Sequence, residues 1–159
     1  MVVRRKHRKD GAGDSGADGR RPAAATGGDL LRLEPRIPYP ADYSACGEIA
    51  RAERDENARP EIANLPESVS EYDAIFIGYP IWWHTAPMII GTFLEACDVT
   101  DAEIYPFTQS AAMDMQHFQN SMAFLRETAP GANVHEGLFT PADDLASIQD
   151  YLVANGFAP

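Results

Sequence analysis

A continuous apolar run near the middle of the chain constrains the fold most strongly. Residues 72–79 read YDAIFIGY, and after Asp73 no polar residue alternates with the apolar ones. This pattern is typical of a strand that is buried on both faces. Such strands occur in parallel sheets covered by helices on both sides, so the run predicts an α/β fold.

The rest of the chain alternates between strand-like and helix-like segments. Strands are predicted over residues 30–33, 72–79, 102–107 and 134–139, and helices over residues 42–58, 87–97, 117–128 and 141–155. Asp42 suits a helix cap, Pro87 suits a first helical turn, and Gly156 suits a helix stop. A chain of 159 residues is long enough for one domain with a single core. The expected architecture is therefore a parallel sheet between two layers of helices.

Charge divides the chain into two unequal parts. Seven of the 13 basic residues precede residue 22, whereas from Asp29 onward six arginines and no lysine face 21 acids, a net charge of −15. A surface this acidic disfavours nucleic acid as a partner. We predict a basic segment over residues 1–25, either disordered or read out of frame, and a folded domain over residues 26–159.

Cysteine usage and hydropathy favour a cytoplasmic location. Cys46 and Cys97 lie far apart without the spacing of a metal site, which is typical of two reduced thiols. No apolar run approaches the ~20 residues of a membrane helix, so no membrane partner is expected.

Two segments follow predicted strands at the sheet edge where ligands bind in such folds. The first reads YPIWWHTAP over residues 79–87, and the second reads TQSAA over residues 108–112. An aromatic loop beside a small polar one forms a slot for a flat ring, with the aromatics against the ring and backbone amides on its heteroatoms. Alternatively, the two tryptophans merely cover the end of the sheet.

From residue 26 to the end, the chain resembles the flavodoxin-like family of small FMN-binding proteins. The matching stretches are ATGGDLLRLEP, PYPADY, YDAIFIGYPIWWHTAPMIIGTFLE, PFTQS and PGANVHEGLF. The resemblance implies a flavodoxin-like three-layer sandwich with one bound FMN, whose ring is held by the two loops. The cofactor-binding residues that it implies are Pro80, Ile81, Trp82 and Trp83 on the first loop, and Thr108, Gln109 and Ser110 on the second.

The front of the chain departs from this family. Family members open with a central strand and a loop like Ser-x-Thr-Gly-x-Thr, which holds the FMN phosphate at a helix N-terminus. Here Val2 and Val3 are followed by a basic stretch, so we expect the central strand to be missing or replaced. Read one base later with GC-rich codons, residues 6–11 give Ser-Thr-Gly-Arg-Thr. We therefore interpret residues 1 to about 23 as an out-of-frame reading of the strand, loop and first helix.

Other candidate residues carry weaker signals. His84 follows the tryptophan pair, where it is either a proton donor beside a reduced flavin or a surface histidine. Asp114 is either a ligand contact or a solvated loop acid. The spacing of His117 and His135 does not suggest a metal site, and no catalytic residue is identified.

Three functions remain open. The first is FMN-dependent electron transfer or oxidoreductase activity of the flavodoxin type, with a redox partner protein or a small quinone-like substrate. The second is a flavodoxin-like scaffold that no longer binds FMN. The third is a partner-binding domain that uses its basic N-terminal arm.

Overall fold

The computed structural model describes residues 2–5, 28–72 and 74–157. Its elements in chain order are β1 (Val2–Arg5), β2 (Gly28–Leu31), α1 (Tyr43–Asp55), β3 (Ala74–Pro80), α2 (Met88–Ala96), β4 (Glu103–Gln109), α3 (Met115–Thr128), β5 (Asn133–Val134), β6 (Leu138–Phe139) and α4 (Leu145–Ala154). The predicted α/β fold is confirmed. Among the described residues, no helix is long and apolar enough to cross a membrane.

The strands form one open sheet in the order β2-β1-β3-β4-β5. β6 also pairs with β4, on residues that follow those paired with β5 along the strand. β3 and β4 run parallel over seven residue pairs, from Ala74 beside Glu103 to Pro80 beside Gln109. β5 and β6 also run parallel to β4. This order is that of flavodoxin-like sheets, and it places the carboxyl ends of β3 and β4 side by side.

The core lies between the sheet and helices α2 and α3. Ile75 and Ile77 of β3, Phe93 of α2 and Leu125 of α3 are all 0% exposed. The opposite face is aromatic: Phe76 stacks on Tyr105, and Phe157, which follows α4, packs edge-on against both rings. Within α4 itself no residue is buried.

The predicted replacement of the central strand is what the structure shows. β1 occupies the central position between β2 and β3, but it runs antiparallel to both. Arg5, its last residue, lies beside Ala74 and Gly28, the first residues of β3 and β2. The chain therefore leaves β1 at the amino-terminal edge of the sheet, opposite the carboxyl ends of β3 and β4. Residues 1 and 6–25 of the predicted N-terminal segment lie outside the described residues, and the division at residue 25 stays a prediction.

Several element boundaries in the structure differ from the predicted ones. The predicted strand over residues 134–139 is divided into β5 and β6 around Gly137, where a Cβ atom would stand 2.7 Å from the Met122 sulfur of α3. α4 begins at Leu145 and not near Pro141, because the Asp144 side chain accepts from Ser147 N and caps the helix there. β4 continues through Gln109, so Thr108 and Gln109 belong to the strand and not to the loop after it.

Candidate functional site

A cavity of about 790 Å³ opens at the carboxyl ends of β3 and β4. Helix α1 forms one wall. The last residues of the two strands and the segments that follow them form the rest of the wall. Its lining residues are Tyr43, Ser44, Cys46, Gly47, Glu48, Ala50, Arg51, Pro80, Ile81, Trp82, Trp83, Gln109, Ser110 and Ala111. Six of the seven predicted cofactor-binding residues thus lie around one cavity, and only Thr108 is not among them.

The segment after β3 makes a tight turn that is held in a strained conformation. Trp82 N donates to Thr85 O at 2.8 Å, and Thr85 N donates to Trp82 O at 3.1 Å. The two residues between them, Trp83 and His84, have φ angles of +42° and +71°. Two consecutive positive φ angles define a type I′ turn, which normally takes Gly, Asn or Asp. Each L residue there costs about 1–2 kcal/mol, so the surrounding contacts must hold this turn in place.

A matched pair of substitutions at His84 tests this strain. His84→Gly and His84→Ala remove the same imidazole, but only glycine adopts φ +71° without a steric cost. We expect the glycine variant to be more stable than the alanine variant by about 1 kcal/mol. Urea unfolding of both proteins measures the difference. Equal stabilities, or a more stable alanine variant, would contradict the positive φ angle at this position.

The two tryptophans have different environments. Trp82 is half-buried, and its ring meets Tyr39 edge-to-face with centroids 4.8 Å apart. Trp83 is 39% exposed, and the guanidinium carbon of Arg51 lies 5.6 Å from its ring centroid. That distance is within the range of a cation–π contact, which ties the turn to helix α1. Both indoles line the cavity, as a ring-binding pair requires.

The end of β4 supplies the opposite part of the cavity wall. Gln109 O accepts from Ile81 N at 3.0 Å, which fixes the distance between the two segments. The Gln109 side-chain oxygen is already used, because it accepts from Ala142 N at 3.0 Å. Thr108 is buried, and its hydroxyl donates to Tyr79 O. Thr108 lines a second cavity of about 500 Å³ on the α4 side, which it shares with Pro80 and Gln109 but not with Ile81, Trp82, Trp83 or Ser110.

Ser110 has an unsatisfied polar atom inside the cavity wall. Its Oγ is fully buried, and among the described residues no hydrogen-bond partner reaches it. Ser110 O accepts from Met113 N at 3.2 Å, and Met113 itself has a φ of +47°. Buried hydroxyls nearly always have a partner. Ser110 Oγ is an exception to this rule among the described residues, as is Thr92 Oγ1 of α2.

Sequence reasoning did not bring His84 and His117 together. Their side chains meet through His84 Nδ1 and His117 Nε2, and Asn120 Nδ2 donates to His84 O at 3.2 Å. These contacts fasten the strained turn to helix α3. Asp114 caps that helix by accepting from Gln116 N at 2.8 Å, and this bond holds the pKa of its carboxyl below the usual range. Asp114 is therefore an exposed helix cap, a role that the sequence analysis did not assign to it.

Helix α1 contributes half of the residues that line the cavity, which was hard to predict from the sequence. Seven lining residues lie on its first three turns, from Tyr43 to Arg51. Its N-cap Asp42 accepts from Ala45 N at 2.8 Å, which sets where the helix begins beside the cavity. The proline-rich stretch before Asp42 is the one local signal that the chain turns sharply here.

An open α/β sheet with the order 2-1-3-4-5 and a cavity at the carboxyl ends of its central strands is the architecture of a flavodoxin-like protein. The chain belongs to the flavodoxin family, whose model it matches over residues 10–150. The match begins inside the N-terminal segment, earlier than the resemblance in sequence suggested.

Three solved structures are similar to this chain. A candidate flavoprotein from Bacteroides eggerthii DSM 20697 is 32% identical, with 79% of this chain and 80% of that one covered and a TM-score of 0.68. One from Bacteroides uniformis ATCC 8492 is 28% identical, with 76% and 78% covered and a TM-score of 0.66. A flavoprotein in complex with FMN from Lactobacillus acidophilus NCFM is 25% identical, with 68% and 70% covered and a TM-score of 0.52. No curated protein sequence matches the chain.

Proposed function

We propose that the cavity beside α1 binds FMN and that the protein is an FMN-dependent electron carrier or oxidoreductase of the flavodoxin type. The observation that carries this proposal is the pairing of two indoles with a buried, unpartnered hydroxyl around one cavity. Family membership and the FMN complex of the Lactobacillus acidophilus protein support the choice of ligand.

The ring-binding part of FMN fits the residues present. Trp82 and Trp83 give flat aromatic surfaces, against which a ring packs face-on or edge-on. Ser110 Oγ has no partner to give up among the described residues, and a rotation of its side chain that exposed it to the cavity would let it bond a ring heteroatom. A volume of about 790 Å³ lies within the range of small-molecule sites.

Among the described residues, no phosphate-binding loop lines the cavity. Arg51 is the only positively charged residue that lines the described cavity, and Glu48 lines it as well. Arg51 also lies 3.6 Å from Asp55, so its charge is partly compensated. The loop that holds the phosphate in the family corresponds to residues that lie outside the described ones.

FMN, when bound, supplies one- or two-electron chemistry, and the protein positions it. Trp82 and Trp83 would shield the ring from water, and Ser110 would orient it. The electrons would pass to a redox partner protein or to a small quinone-like substrate. The net charge of −15 after residue 28 favours a basic protein over nucleic acid in that role.

The Ser110→Ala variant should change ligand-free stability and FMN affinity in opposite directions. Removing an unpartnered buried hydroxyl relieves a desolvation cost, so the ligand-free protein should gain up to about 1 kcal/mol of unfolding free energy. The same change removes the bond to the ring, so FMN affinity should fall by roughly threefold to tenfold. Urea unfolding and FMN titration measure the two effects.

Thr92→Val is a matched control for this prediction. Thr92 Oγ1 is the other described side-chain oxygen that is buried without a partner, and it lies on α2 away from the cavity. This variant should gain stability in the same way and leave FMN affinity unchanged. If Ser110→Ala binds FMN as tightly as the parent chain, the hydroxyl does not contact the ligand.

One observation favours the alternative of a scaffold that has lost FMN. Because β1 runs antiparallel, its last residue, Arg5, lies at the amino-terminal edge of the sheet, opposite the edge at which a phosphate loop would follow a parallel central strand. A simple titration separates the two functions. An FMN protein is yellow after reconstitution and shows saturable binding, whereas a scaffold remains colourless with no saturable binding even at high FMN concentrations.

A further inference from the structure

Behind Trp82 lies a half-buried polar pair that does not line the cavity. Tyr39, between Pro38 and Pro40, places its ring edge-to-face on Trp82 with an interplanar angle of 90°. Its hydroxyl donates to both carboxylate oxygens of Glu53 at 3.1 Å. Glu53 lies on α1, the helix that forms the opposite wall. Tyr39 and Glu53 therefore link α1 to the Trp82 indole without lining the cavity themselves.

The hydrogen bond between Tyr39 and Glu53 carries a desolvation cost. Burial raises the pKa of Tyr39 well above its ordinary value and also raises that of Glu53, so both groups lose solvation in the folded protein. A phenylalanine or leucine would fill the same volume without that cost. What the hydroxyl adds is orientation, since a bond to both carboxylate oxygens restricts the rotation of the phenol ring.

The backbone restricts the same ring. Prolines on both sides of Tyr39 fix their own φ angles and limit the conformations of the residue between them. Arg36 N, three residues earlier, donates to Glu61 O at 2.8 Å and ties the loop to the segment after α1. The aromatic edge that Trp82 meets is thus held by the loop, by the hydroxyl bond and by α1.

We propose that Tyr39 is a positioning residue of the cofactor site, that it holds the Trp82 indole in the orientation that packs on a flavin ring, and that Glu53 holds Tyr39 in turn. This inference rests on the proposed FMN site for its function, but the positioning itself is a property of the ligand-free protein. Neither residue contacts the cavity, so each acts through Trp82.

Three variants separate the parts of this arrangement. Tyr39→Phe keeps the ring and removes the hydroxyl bond. Tyr39→Leu removes the aromatic edge as well. Glu53→Gln keeps an oxygen acceptor for the hydroxyl and removes the charge. Tyr151→Phe is the matched control, because Tyr151 is a partly buried tyrosine on α4 whose hydroxyl donates to Glu136 O at 2.9 Å, remote from Trp82.

The first measurement uses the ligand-free protein in a Trp83→Phe background, where Trp82 is the only indole. We expect Tyr39→Leu to red-shift the Trp82 emission, lower its anisotropy and weaken its near-UV circular dichroism. Tyr39→Phe should show smaller changes of the same kind. Glu53→Gln should keep the parent spectrum, because it keeps an acceptor for the Tyr39 hydroxyl. Tyr151→Phe should leave the spectrum unchanged. An unchanged Trp82 spectrum in folded Tyr39→Leu would overturn the inference.

The second measurement is FMN titration with Trp83 present. Affinity should fall by roughly threefold to tenfold in Tyr39→Leu and by less in Tyr39→Phe, while Tyr151→Phe binds like the parent. If the parent binds FMN and Tyr39→Leu binds equally well, Tyr39 does not position the site. If the parent itself does not bind, the proposed function fails, and the spectra of the ligand-free variants still decide the role of Tyr39.

Discussion

Replacing residues 1 to about 23 with the product of the shifted reading frame should raise FMN affinity by several powers of ten. The shifted product supplies a Ser-Thr-Gly-Arg-Thr loop, whose hydroxyls and amides suit a phosphate dianion. Each charge-assisted hydrogen bond to the phosphate contributes about 1.5–3 kcal/mol, and each 1.4 kcal/mol is about tenfold in affinity. Several such bonds account for the expected change.

The direction of β1 gives this prediction its structural basis. Arg5, the last residue of β1, pairs with Ala74 and Gly28 at the amino-terminal edge, opposite the edge where the cavity opens. A central strand that ran parallel to β3 would instead release its loop at the carboxyl edge, where ligands bind in these sheets. The same repair would add a helix to the fold. We expect the repaired protein to be soluble, yellow and monodisperse.

Expression of both proteins and FMN titration of each ligand-free form provide the test. A repaired protein with the loop serine and threonines changed to alanine is the control, and it should lose most of the gain. Comparable sub-micromolar binding by the unrepaired chain would show that its first 25 residues supply a phosphate site. The coding DNA gives an independent check, since a single-base shift must produce the loop.

The edges of β2 and β3 that face the central position are paired in the unrepaired chain. A missing central strand would leave two unpaired strand edges that promote aggregation. In the structure β1 pairs with both, over four residues on each side, so the backbone hydrogen bonds are partly replaced. The expected deficit of this chain therefore concerns the phosphate site and the helix layer more than open edges.

Most elements could be predicted because their signals are local. Asp42 and Pro87 flank α1 and α2 as the sequence indicates, and the apolar run gives β3. The boundaries that were predicted wrongly have different causes. The start of α4 is set by the local Asp144 cap, whereas at the break between β5 and β6 Met122 of α3 leaves no room for a Cβ atom at Gly137, a contact that no local pattern contains.

The site could be predicted only in part for the same reason. The loop after β3 carries the rare pair Trp82 and Trp83, so its place at a strand end was visible in the sequence. The walls from α1, the Tyr39 contact and the meeting of His84 with His117 all join residues that are 14 or more positions apart. The direction of β1 could not be predicted either. A strand of four residues, with no turn signal beside it, can pair with its neighbours in either direction.

Trp82→Ala should weaken both folding and FMN binding, whereas Trp83→Ala should mainly weaken binding. Trp82 is half-buried against Tyr39, so its truncation should lower the unfolding free energy by about 2 kcal/mol, less than for a fully buried tryptophan. Trp83 is 39% exposed, and its truncation removes chiefly the Arg51 contact, worth about 0.5–1 kcal/mol. In both variants the loss of ring packing should reduce FMN affinity by roughly threefold to tenfold or shift the reduction potential.

Trp82→Phe and Trp83→Phe are the controls, because each keeps an aromatic face at the same backbone position. They should retain most of the FMN affinity if ring packing is the cause. Urea unfolding, FMN titration and potentiometry on all four variants separate folding from binding. Unchanged affinity and unchanged potential in both alanine variants would mean that the indoles only cover the end of the sheet. A loss of affinity in Trp83→Ala without a matching loss of stability is the clearest sign of direct contact, because that side chain contributes least to the core.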